Sequence, residues 1–109
     1  MDNTIDEKFL NKSLEIVEKH LSEEAFTIEE FGIEIGMSRQ QLNRKIKALT
    51  GKTASLYVRS IRLLKAKSMI ETKNGNISEI AYSVGFSSPA YFSACFKEEF
   101  GYPPSNLMD

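Results

Sequence analysis

Gly36-Met37-Ser38-Arg39-Gln40-Gln41-Leu42-Asn43-Arg44-Lys45-Ile46-Lys47-Ala48-Leu49-Thr50-Gly51 is the stretch whose reading decides how this chain folds. Gly36 is free to take the positive φ that ends one helix. Ser38 with Gln41 three residues on has the form of a capping box, in which each side chain satisfies the other residue's backbone N–H at a new helix start. Leu42, Ile46 and Leu49 recur at i, i+4 and i+7, which predicts one buried face. The opposite face presents Arg39, Gln40, Asn43, Arg44 and Lys47. A guanidinium donates a fork to guanine, a carboxamide pairs bidentately with adenine, and cationic ends hold phosphates.

A polar outward face is what any amphipathic helix has, so residue types alone do not decide. The charge map separates this stretch from an ordinary solvated face. Between Ile35 and Ile70 there are nine Lys or Arg and no Asp or Glu, whereas the residues up to Glu34 hold ten acids and three bases, and those from Glu71 onward five acids and two bases. A net charge of −1 therefore conceals a basic centre between acidic ends, the footprint of a polyanion binder.

The 109 residues suffice for one ordinary globular unit or two small ones. No apolar run approaches the ~18 residues of a membrane span, and the polar, acidic N-terminus is unlike a secretory signal, so no membrane partner is expected of this segment. A single cysteine, Cys95, excludes an internal disulfide, and one histidine, His20, distant in sequence, leaves no metal-ligand spacing; no metal or cofactor is expected. Cys95 stands between Phe92 and Phe96 and reads as core, and His20 near a helix end reads as structural. There is no phosphate-binding glycine loop and no nucleophile with a base at suitable spacing, so enzymatic function is not expected. The expected compartment is the reducing cytoplasm.

Outward from the central stretch, residues 1–5 read as a frayed start or linker. From about Asp6, Leu10, Leu14, Val17 and Leu21 predict a first helix with those residues buried. Thr27-x-x-Glu30 opens a short second helix ending at Gly36, in which Gly32 would cost ~1 kcal/mol against Ala and calls for close approach of the next helix. After Gly51, Thr53 or Ser55 caps a helix to about Thr72 with Leu56, Ile61 and Leu64 inward. At ~1.5 Å per residue that is a rod of roughly 27 Å. Arg59, Arg62 and Lys65 at i, i+3, i+6 form a stripe suited to a phosphate backbone.

The chain then repeats itself. Ile28, Glu30, Phe31, Gly32, Ile35, Gly36 and Met37 match Ile77, Glu79, Ile80, Ala81, Val84, Gly85 and Phe86 at an offset of 49; Leu42, Ile46, Lys47 and Gly51 match Phe92, Phe96, Lys97 and Gly101 at 50. Both halves thus encode helix, Gly-containing turn, helix, with one extra residue in the second turn. Asn76-x-x-Glu79 is another capping box, and Ser88-Pro89 is an N-cap followed by Pro at the first helical position. Two helical hairpins also occur as protein-docking units, so the alternative is an interaction module binding RNA polymerase or another signalling protein, with only non-specific affinity for DNA.

These residues resemble the DNA-binding domain of AraC/XylS-type transcription regulators over about Asp6 to Met108. The resemblance is carried by Gly36-Met37-Ser38-Arg39 with Leu42, by Gly51, Tyr57, Arg62-Leu63 and Ala66, and above all by Ile77-x-Glu79-Ile80-Ala81-x-x-Val84-Gly85-Phe86 with Tyr91-Phe92, Phe96-Lys97, Phe100-Gly101 and Pro104. The acidic opening, Asp6 to Glu24, is similar to the segment before such domains at the C-terminus of hybrid two-component regulators, which makes a larger signalling protein the expected context.

The resemblance implies an all-α fold of two helix-turn-helix subdomains, homeodomain-like three-helix units, with residues 1–52 and 74–109 as the units and 53–73 as the long helix joining them. It implies double-stranded DNA as partner, the recognition helices entering successive major grooves, about 34 Å apart. Gln40, Asn43 and Arg44 are then the base readers of the first unit, with Ser38, Arg39, Lys47, Arg59 and Arg62 towards phosphates. In the second unit Ala90, Ser93 and Ala94 fall on the base-reading face beside Pro89, and Lys97 points to a phosphate. The family commonly has Arg or Lys where Ala94 stands, so the first unit is expected to carry most discrimination. The isolated domain is expected to be a monomer.

Overall fold

The helix starts anticipated from the capping boxes all form. Thr27, Ser38 and Asn76 each accept a hydrogen bond from the backbone N–H three residues on, and Glu30, Gln41 and Glu79 return a bond to the cap's own N–H. The computed structural model describes residues 4–108, whose regular elements are all helices: α1 Thr4–Lys19, α2 Ile28–Ile35, α3 Arg39–Thr50, α4 Ala54–Glu71, α5 Ile77–Ser83, α6 Pro89–Phe100 and a closing 3-10 turn Pro104–Leu107, with no strand among the described residues. Of the anticipated frayed start, residues 1–3 lie outside the described residues, while Thr4 and Ile5 are already helical. No helix among the described residues is long and apolar enough to cross a membrane.

The contacts divide the chain into two units, one made of the chain up to His20 with Phe26–Arg59, the other of Leu21–Ala25 with the chain from Ser60 onward. In the first unit α1 packs on α2 and α2 on α3. Its buried apolar residues are Phe9, Ile16, Val17, Phe31, Leu42, Ile46, Ala54 and Val58. The buried face of α1 is rotated from the anticipated one: Phe9, Ser13, Ile16 and Val17 are inside, Leu14 is 39% exposed, and Leu21 lies beyond the helix end. Ser13 explains the rotation. Its hydroxyl donates to the Leu10 carbonyl and shares a 2.7 Å hydrogen bond with the Tyr57 hydroxyl, so a small polar group is satisfied where a leucine was expected. At the helix end His20 stacks on Phe26, with ring centroids 4.2 Å apart, and pairs with Glu34.

The second unit closes over Leu63, Ala66, Ile70, Ile80, Ala81, Val84, Phe86, Phe92, Cys95 and Phe96, with Leu21 packed against them. Its aromatic rings form a row from Phe86 through Phe92 and Phe96 to Phe100, the first pair edge to face and the next two tilted, at centroid separations of 5.3, 5.7 and 4.6 Å. Complete burial of Phe92 and Phe96 stabilises the unit by roughly 2–3 kcal/mol each relative to exposed rings. In α4, Leu56 and Leu64 are 43% and 57% exposed rather than inward. Ala54 and Val58 serve the first core while Leu63, Ala66 and Ile70 serve the second, and a helix supplying two cores keeps no single apolar stripe.

Both turns use one construction. Met37 N–H bonds to Gly32 O at 2.8 Å and Phe86 N–H to Ala81 O at 3.0 Å, over Gly36 at φ +81° and Gly85 at φ +89°. Gly32 is required by the turn rather than by the next helix, because a Cβ there would lie 2.5 Å from the Met37 carbonyl oxygen.

Candidate nucleic-acid interface

Leu42 and Ile46, both fully buried, fix the roll of α3 and leave Arg39, Gln40, Arg44 and Lys47 exposed on the far side. Ser38 opens the helix, accepting from Gln41 N–H at 3.1 Å, while Gln41 Oε1 accepts from Ser38 N–H at 3.0 Å. Gln41 is thereby committed to the cap, whereas the Ser38 hydroxyl retains its own proton to donate. Arg44 shares an open groove with Gly36, Met37, Gln41, Lys45 and Ala48.

Two neighbours condition this face. Arg39 Nη1 donates to Glu29 Oε2 at 2.6 Å across an exposed ion pair, and that hydrogen bond holds the Glu29 carboxyl below its ordinary range. Asn43 is half-buried, and its Oδ1 accepts from Ala54 N–H at 2.7 Å, capping α4 from another element while Thr53 Oγ1 accepts from Leu56 N–H. Bidentate pairing with adenine uses both ends of the carboxamide, and the bond from Ala54 already engages one of the two lone pairs of Oδ1.

The corresponding face of α6 is nearly bare. Ser88 caps it, accepting from Tyr91 N–H at 3.1 Å, and Pro89 occupies the first helical position. Ala90, Ala94 and Lys97 are exposed and Ser93 half-buried. Tyr91 is half exposed, with its ring 5.7 Å from that of Phe86. Of these residues, Ser93 and Tyr91 offer hydroxyls and Lys97 an ammonium.

The profile of a family described as "Helix-turn-helix domain" matches residues 33–109. The chain is 45% identical over 107 residues to histidine kinase P4 of Formosa agariphila, covering 98% of this chain and 8% of that one. To the HTH-type transcriptional activator RhaS of Salmonella schwarzengrund it is 32% identical over 98 residues, covering 90% and 35%. The chain therefore spans well under half the length of these curated relatives. Among solved structures it superposes on a Chromobacterium violaceum transcriptional regulator with an AraC-type DNA-binding domain, with TM-score 0.85, 26% identity and coverage of 96% and 93%. It also matches the DNA-binding domain of AdpA solved with target DNA, with TM-score 0.74, 28% identity and coverage of 87% and 88%. The chain belongs to the AraC-type helix-turn-helix family of DNA-binding transcription regulators.

In this AraC-type domain the reading of Arg62 as a phosphate contact is corrected. Arg62 is 7% exposed, and its guanidinium donates to the carbonyls of Val84 at 3.2 Å, Gly85 at 2.8 Å and Glu23 at 2.9 Å. Those bonds engage three of the five guanidinium N–H groups inside the fold, and with the side chain buried the anticipated stripe along α4 is broken at its middle. Burial pushes the Arg62 pKa down from its ordinary value, opposed by the nearby Glu23 and Glu24 carboxylates. Arg59 is only partly buried. Sequence reasoning missed Glu29 as the partner of Arg39. The available signal was an acid at the second position of α2 in a chain whose first charged residue on α3 is Arg39.

Proposed function

We propose that this domain is the output end of a bacterial signalling protein in which α3 reads double-stranded DNA by sequence and α6 docks in a major groove chiefly for position. In this reading Arg44 forks onto a guanine, Gln40 and the Asn43 Nδ2 contact neighbouring base edges, and Ser38, Arg39, Lys47, Arg59 and Lys97 hold phosphates. Ala90, Ser93 and Ala94 present a small surface that suits thymine methyls or groove shape. Residues 53–73 act as the linking helix between the units of 1–52 and 74–109, and the domain alone is monomeric. The observation that carries the reading is the exposed row Gln40, Arg44 and Lys47 on a helix whose roll is fixed by two fully buried side chains, inside a stretch without a single acid.

The 45% identity to a histidine kinase supports a two-component context, in which a sensor elsewhere in a longer chain sets when the domain binds. Docking on RNA polymerase is a second role favoured by one observation: Ile33 and Tyr82, related by the repeat, are 78% and 54% exposed. Selection of bound duplexes from a random pool at about physiological salt, then titration of the winner against a scrambled duplex, tests the main reading. An enriched site with its information concentrated in one half supports it. Equal affinity for winner and scramble overturns it in favour of the interaction module.

A further inference from the structure

The second turn contains a device the first lacks. Gly85 has a positive φ like Gly36, but a Cβ at Gly36 would meet nothing within 4 Å, whereas one at Gly85 would lie 1.5 Å from Arg62 Nη1 and 2.6 Å from the Leu21 carbonyl oxygen. The missing side chain of Gly85 is the space the guanidinium occupies. From there the fork reaches two consecutive carbonyls of the turn, Val84 and Gly85, and the carbonyl of Glu23 in the segment between α1 and α2. Three residues beyond Gly85, Ser88 caps α6. The position that matches Arg62 in the first half, at the same offset of 49, is Ser13, which bonds to Leu10 and Tyr57 instead.

We infer that Arg62 is a positioning residue for the second recognition helix: its guanidinium fixes the turn from which α6 departs, and so sets the angle at which α6 meets DNA. The inference rests on the reading of α6 as a groove-docking helix. Arginine is suited to the task because a planar fork can donate to three carbonyls at once in fixed directions. A lysine at this position keeps the charge but concentrates its donors at one point. A buried charge hydrogen-bonded to backbone carbonyls takes a donor from each of them when it is removed, so the turn loses its definition rather than relaxing to an equivalent state.

The test uses the whole domain and its selected duplex, comparing wild type with Arg62→Met and Arg62→Lys by hydroxyl-radical footprinting, anisotropy and thermal melting. Wild type is expected to protect two separate stretches of backbone. Arg62→Met is expected to keep the stretch assigned to α3 and lose the one assigned to α6, with affinity falling about tenfold and a shallower salt dependence. If Arg62→Met no longer melts cooperatively, Arg62→Lys decides by the same footprint. A folded variant that protects both stretches with unchanged affinity overturns the inference, as does uniform weakening of both, which is what a general structural role would give. A single protected stretch in the wild type would overturn the reading of α6 itself, and with it the role of Arg62.

Discussion

The α2–α3 and α5–α6 hairpins have one backbone and two surfaces. Both open on a reciprocal capping box and turn over a left-handed glycine, and both close their second helix with the same bond, Gly51 N–H to Lys47 O at 2.9 Å and Gly101 N–H to Lys97 O at 2.8 Å. On that shared frame α3 presents Arg39, Gln40, Arg44 and Lys47, and α6 presents Ala90, Ala94 and Lys97. The residues that make a helix-turn-helix are therefore caps, turn glycines and buried apolar side chains. Apart from the cap Ser38 and the α4-capping Asn43, they are distinct from the exposed residues by which the two helices differ, so the two sets can largely change independently.

The sharpest way to break the likeness of the two turns is Gly36→Ala against Gly85→Ala. Both require a left-handed alanine, which costs about 1–2 kcal/mol. Only at Gly85 does the new methyl also displace a hydrogen-bonded guanidinium, so chemical denaturation should show a loss above about 3 kcal/mol there. Next in size is the contrast of faces. Arg44→Ala should weaken binding to the selected duplex by ~1–3 kcal/mol and relax one base position, whereas Ala94→Arg should add affinity and steepen the salt slope by roughly one unit. Unchanged binding in both variants would erase the distinction between α3 and α6.

At the paired small residues, Gly32→Ala should destabilise by about 1–2 kcal/mol despite alanine's better helix propensity, because the Met37 carbonyl cannot swing away as a flexible side chain would. At Ala81, which already has its Cβ in the core, the reverse change to Gly should cost about 1 kcal/mol. Stabilisation by either replacement in urea titrations would sink this account.

The smallest effect belongs to the ion pair that only the first hairpin has. Glu29→Gln frees Arg39 and should raise DNA affinity slightly while increasing its salt dependence. Because the folded pKa of Glu29 is lowered, the pair's contribution to stability is complete above the ordinary glutamate range and disappears as pH falls through the lowered value. Melting curves of wild type and Glu29→Gln should accordingly converge on acidification.

Caps and turns were legible because their signals are local: Ser38 and Gln41 interact within one helical turn, and the offset of 49 to 50 residues repeats that local code. The row Gln40, Arg44 and Lys47 followed from the spacing of Leu42 and Ile46 alone. Asn43 shows where such reasoning stops, since nothing near it in sequence announces that its carboxamide caps a helix eleven residues away. Arg62 shows the same for burial. An arginine at i+3 from another reads as a surface stripe, and only its bonds to Glu23 and to Val84 and Gly85, 22 and 23 residues further along the chain, reveal a buried group.

The five residues Leu21–Ala25 lie early in the chain yet belong to the unit completed from Ser60 onward, where Leu21 fills the core and Glu23 supplies one of the three acceptors of Arg62. The two hairpins consequently cannot be dealt out as separate building blocks. A fragment beginning at residue 53 would expose part of the second core and leave a buried cation short of one acceptor, while a fragment ending at residue 52 would carry an orphaned apolar leucine. Exchange of half-domains between related regulators therefore needs three junctions, at 20/21, 25/26 and 59/60, with the Leu21–Ala25 segment travelling together with the hairpin it completes.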